Sequence, residues 1–99
     1  MPAKLVALYK QPEDPEAFEK RYFEGHVPLV EQIPGLQGNV ITRFGKALVG
    51  EGFYMMAEMY FADRDALKAA LRSPEMAATG EDIQKFAGHL MTLMMAEEA

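Results

Sequence analysis

Phe53-Tyr54-Met55-Met56-Ala57-Glu58-Met59-Tyr60-Phe61, FYMMAEMYF, is the clearest strand in this chain, and it is largely apolar on both sides. Side chains alternate between the faces of a sheet, so Phe53, Met55, Ala57, Met59 and Phe61 share one face and Tyr54, Met56, Glu58 and Tyr60 the other. Such a strand needs cover on both sides. Upstream, Gly50-Glu51-Gly52 reads as a hairpin turn. It joins Phe53–Phe61 to a strand within residues 36–48, where Val40, Ile41, Thr42 and Phe44 carry the β-preference and Gly45 suggests a bulge or a close backbone approach.

Downstream, Asp63 caps a helix with Leu67, Ala70 and Leu71 on its inward face. Ser73-Pro74-Glu75 ends that helix and opens another helical turn, with a cap, a proline at the first position and an acid behind it. Thr79 and Asp82 have the spacing of a capping box, and Gly80 predicts a break between two helical pieces. Ile83, Phe86 and Ala87 then face inward, and residues 89–96 (HLMTLMMA) form a last strand, again apolar on both sides.

The N-terminal third repeats this order. Ala3 to Tyr9 (AKLVALY) is a strand, and Asp14-Pro15-Glu16 starts a helix whose stripe is Phe18, Tyr22, His26, Leu29 and Ile33. Pro34-Gly35 stops it. Two consecutive βαβ units joined by a hairpin predict a single α+β domain over residues 1–99. The arrangement is the ferredoxin-like split βαβ-βαβ with a four-stranded antiparallel sheet. One helical layer covers only one face, so the other predicts a homodimer in which two sheets pack face to face.

Composition narrows the functional classes. Hydrophobic residues make up 49% of the chain and charged residues 25%, the balance of a folded globular protein. Ten Lys and Arg against fifteen Asp and Glu give a net charge of −5 with no basic run, which argues against nucleic acid as a partner. No segment reaches the ~20 apolar residues of a membrane span, and the N-terminal apolar run is too short for a signal sequence. With no cysteine, the chain has no disulfides or thiolate sites, and a cytoplasmic location is expected.

Tyr22 and His26 are four apart on the predicted helix and fall on the stripe that meets the sheet. An imidazole exchanges a proton near neutral pH, and a phenol hydrogen-bonds a carbonyl or enolate, so the two are candidate catalytic residues. A structural role also fits His26, its ring bonding a backbone carbonyl freed by Pro28. Gly25 and Pro28 predict a kink or a change of pitch at this point. His89 reads as a surface residue, and two histidines without an acidic cluster predict no metal site. Arg43 and Glu58, charges inside predicted strands, suggest a cross-strand ion pair or a pocket rim. Six of the eight methionines lie in the last two predicted strands, as core and dimer filler or as the lining of an apolar ligand site.

Tyr9, Pro12, Phe18, Tyr22-Phe23, His26-Val27-Pro28-Leu29 and Pro34-Gly35-Leu36 together resemble the EthD family, named for ethyl tert-butyl ether degradation. The resemblance implies a dimeric α+β barrel with a pocket between sheet and helices, in proteins associated with oxidative degradation and often called oxidoreductases. An apolar or aromatic carbonyl compound is then the expected small-molecule partner. Its binding residues are expected to be Tyr9, Phe18, Phe23, Leu29, Met55 and Met59. Some dimeric α+β barrels bind haem through a helix histidine; with no tryptophan and no second convergent histidine this chain departs from them, and no cofactor is expected. A non-catalytic binding or accessory protein is the alternative.

Overall fold

Strict alternation shapes the first strand. In the computed structural model, which describes residues 2–99, β1 (Ala3–Tyr9) buries Ala3, Leu5, Ala7 and Tyr9 and leaves Lys4, Val6 and Leu8 half-buried on its other face. The Asp14 carboxylate accepts the Ala17 amide at 3.1 Å and starts α1 (Pro15–Arg21), with Pro15 in the first turn.

The helix then widens into a single π-turn, Tyr22–His26, before α2 (Val27–Val30). Pro28 causes the change of pitch, because it has no amide for the Glu24 carbonyl and its ring clashes with that turn in an α-helix. The Val27 amide reaches back to the Tyr22 carbonyl, which opens the turn and accommodates the proline. The extra residue also moves the buried stripe by one position. It runs Phe18, Tyr22, His26, Val30 and Ile33, so Val30 takes the inward place expected of Leu29, which is half-buried. Gly35, at φ 81°, ends the segment.

β2 (Gly38–Arg43) and β3 (Met55–Phe61) pair antiparallel, Ile41 opposite Ala57. Both are shorter than the sequence suggests, and residues 44–54 form a long connection rather than a tight hairpin. Gly45 is neither a bulge nor a close approach, since a Cβ there would meet nothing within 4 Å. Asp63 caps α3 (Arg64–Leu71) through the Ala66 amide, and Leu67 and Ala70 are buried while Leu71 turns outward.

Ser73 caps α4 (Pro74–Phe86), which runs through Gly80 without the expected break. A mid-helix glycine costs about 1 kcal/mol relative to alanine, and burying Ile83 alone recovers about 1.5–3 kcal/mol, so packing wins. A 3-10 turn, Gly88–Leu90, holds the exposed His89 before β4 (Met91–Glu97), so that histidine precedes the strand.

The strand order is β2-β3-β1-β4, all antiparallel, which is the ferredoxin-like split βαβ-βαβ fold. The helices pack over the face bearing Leu5, Ala7, Tyr9, Met55, Ala57 and Met59. On the outer face Val6, Leu8, Val40, Met56 and Met94 surround a Lys4–Glu58 ion pair of 2.7 Å. Arg43 and Glu58 do not pair. The register places Glu58 beside Val40 and Val6 on that outer face, whereas Arg43 lies opposite Met55 on the helix side and bonds Glu19 of α1 at 2.7 and 2.9 Å.

Candidate functional site

The π-turn stacks Tyr22 and His26 against the sheet, with ring centroids 5.2 Å apart. Tyr9 of β1 meets Tyr22 edge-on, with ring centroids 5.4 Å apart. Burial raises both phenols above their ordinary value, Tyr9 strongly, so both keep their protons at neutral pH. These residues border a cavity of ≈ 60 Å³ between sheet and helices. Its walls are mainly apolar, with Leu5, Val30 and Ile83 among them, and Met59, Met76 and Met91 supply flexible thioether side chains.

Asp82 of α4 sets the chemistry of the histidine. Its Oδ2 lies 3.0 Å from His26 Nδ1, and Arg21 holds the same carboxylate with contacts of 2.6 and 3.2 Å. Arg21 and then the histidine hold the Asp82 carboxyl below the ordinary carboxylate range, while desolvation works against them. An ionised carboxylate only accepts, so the proton of the His26–Asp82 hydrogen bond belongs to Nδ1. Burial lowers the His26 pKa from 6.5, and Asp82 offsets this only in part. At neutral pH the ring is therefore neutral, with Nδ1 committed to Asp82 and Nε2 carrying the lone pair. Within the cavity this is an oriented base.

Of the residues expected from sequence, Tyr9, Tyr22, His26 and Met59 line this cavity. Phe18 lies beside it, packing on Tyr9 and Tyr22 at 5.6 and 5.7 Å, and lines a surface groove with Phe86 instead. Phe23 faces the outer groove beside β2, under the Arg43 guanidinium at 5.2 Å. Met55 is fully buried, and Leu29 lies outside the lining.

Sequence reasoning missed Asp82, Arg21 and Asn39. Asp82 looks like a helix cap, and nothing in the chain links it to a histidine 56 positions away. Asn39 had a weak signal: it is a polar residue at an inward position of β2, opposite Met59. Thr79 and Gly80 also border the cavity, the glycine at an exposed point of α4. Among the described residues, no group of three or more His, Cys, Asp or Glu side chains could hold a metal ion, and no helix is long and apolar enough to cross a membrane.

Comparison with known proteins matches residues 10–89 to the EthD domain. An uncharacterized 11.0 kDa protein from the thcB-thcC intergenic region of Rhodococcus erythropolis is 33% identical over 101 residues, spanning 96% of this chain and 93% of that protein. The crystal structure of an ethyl tert-butyl ether degradation (EthD) family protein from Bacillus halodurans C-125 superposes with a TM-score of 0.93 at 49% identity, covering 100% of both chains. SnoaB, a cofactor-independent oxygenase from Streptomyces nogalater, shares the fold with a TM-score of 0.70 at 14% identity, over 99% of this chain and 93% of its own. Family match, sequence relative and structural neighbour agree: this chain belongs to the EthD family.

Proposed function

We propose that the protein is a small cytoplasmic, homodimeric enzyme that moves a proton at the carbon beside the carbonyl of an apolar or aromatic compound. His26 Nε2 takes the proton, the electron pair of the C–H bond passes into the carbonyl as an enolate, and the Tyr22 hydroxyl hydrogen-bonds the enolate oxygen. Asp82 stabilises the imidazolium that forms. The observation that carries this reading is the fixed tautomer: a buried, neutral imidazole whose Nδ1 is held by an ionised carboxylate and whose Nε2 is free beside an apolar cavity. The proton transfer balances without a cofactor. An enolate is also the electron-rich form on which oxidative chemistry begins, and the likeness in fold to SnoaB supports an oxidoreductase-associated role.

The test is loss of the α-proton signals of acetophenone and 2-indanone in D2O, followed by proton NMR. The protein should accelerate exchange over buffer at equal pH; exchange at the buffer rate for both ketones would count against the reading. The apolar walls of the cavity also suit a protein that only sequesters a hydrophobic metabolite. That reading predicts a ligand-dependent rise in melting temperature with no exchange.

The homodimer rests on the outer sheet face. Val40 and Met94 there are 50% and 43% exposed, in a patch continuous with Val6, Leu8 and Met56. Light scattering at micromolar concentration should give twice the 11.1 kDa chain mass, and Val40→Asp combined with Met94→Asp should return a monomer. A native protein that scatters as a monomer would refute the dimer.

A further inference from the structure

Among the described residues lining the cavity, Asn39 carries a buried side-chain oxygen, Oδ1, that the fold leaves without a hydrogen-bond partner. It points to the helix side of β2, opposite the buried Met59. A buried amide oxygen left unpaired destabilises the protein without ligand, whereas an apolar residue of the same shape would not.

We propose that the cavity is built for a guest carrying a hydroxyl as well as its carbonyl, a hydroxylated aromatic ketone or its enol, and that Asn39 recognises that hydroxyl. This rests on the proton-transfer reading above and names its substrate class. The polar groups on the wall define the match. His26 Nε2 accepts, Asn39 Oδ1 accepts, and the Tyr22 hydroxyl, which keeps its proton, donates. The Thr79 hydroxyl is spent on the Met76 carbonyl at 2.7 Å. A plain ketone gives its α-proton to His26 and its oxygen to Tyr22 and leaves Asn39 unmet. A second oxygen bearing a hydrogen completes the set.

The test is a binding cycle on the full chain, with acetophenone, the three hydroxyacetophenone isomers and their methoxy counterparts titrated by calorimetry. For at least one isomer the hydroxyl should tighten binding to the native protein about tenfold, and the methoxy group should not. Asn39→Leu should erase that gain, and without ligand it should melt about 4–8 °C higher than the native protein as the unpaired amide is removed. Asn39→Ala is read for the same loss of hydroxyl preference should the leucine variant fail to fold.

No gain for any hydroxyl, a gain that survives removal of Asn39, or an Asn39→Leu protein that folds but melts lower than native would each overturn the proposal. The two readings fail separately. His26-dependent exchange with no hydroxyl preference removes this substrate class and leaves the base standing; a hydroxyl preference lost with Asn39, but no exchange, keeps the recognition and removes the base.

Discussion

Replacing His26 by Gln is expected to slow α-proton exchange by at least about a hundredfold, the usual contribution of a positioned general base. Glutamine retains a donor for Asp82 and close to the volume of the ring, so the variant should fold with its dimer and cavity in place. It lacks a base that titrates near neutrality.

A second readout separates this variant from a merely damaged protein. The native His26 pKa lies below its unfolded value of 6.5. Between those two values the unfolded chain binds a proton that the native chain refuses, so stability is full above about pH 6.5 and drains as pH falls through the folded value. Asp82, lowered from 3.8, adds loss of the same sign at more acid pH. His26→Gln should remove the upper part of that acid sensitivity and keep the lower. Exchange at the native rate in this variant would refute the role of His26.

The Asp82→Asn variant is expected to lose nearly as much, although Asp82 touches no substrate in this account. Arg21 only donates, so the asparagine oxygen turns to Arg21 and its amide nitrogen faces His26 Nδ1. That nitrogen now donates, which moves the ring proton to Nε2 and leaves the cavity with an N–H in place of a lone pair. An aspartate that fixes a tautomer acts in this way in serine hydrolases. The fall in exchange should again reach about a hundredfold, with binding of acetophenone nearly unchanged. Stability should change little. Arg21 is 40% exposed and water screens its charge, so the ion pair contributes little to stability. A folded Asp82→Asn protein that exchanges as fast as native would show that the tautomer does not matter.

Much of the fold was legible because its signals are local. Asp14, Asp63 and Ser73 cap the helices that their spacing announces, and AKLVALY alternates in place as a strand. The failures have physical causes. Gly80 looked like a break because propensity is local, and the packing of Ile83 and Ala87 that overrides it is not. Leu29 and Val30 exchange places because a π-turn adds a residue that 3.6-residue spacing cannot anticipate.

The candidate site was half legible for the same reason. Tyr22 and His26 sit on one element, so periodicity brings them together. Asp82 and Asn39 arrive from α4 and β2, and only the closed fold places them beside the ring. The charges read in strands show the same limit: Arg43 and Glu58 carried a correct warning of needed partners, yet the register gave each a different one.

Nitrogen-15 NMR of the His26 ring from pH 4 to 8 would read its tautomer and its midpoint in one titration. A neutral Nδ1–H ring above pH 6.5, with an unprotonated Nε2 and a midpoint below 6.5, is the predicted result. A ring protonated on Nε2 at neutral pH, whether as the other tautomer or as the imidazolium, would contradict the account.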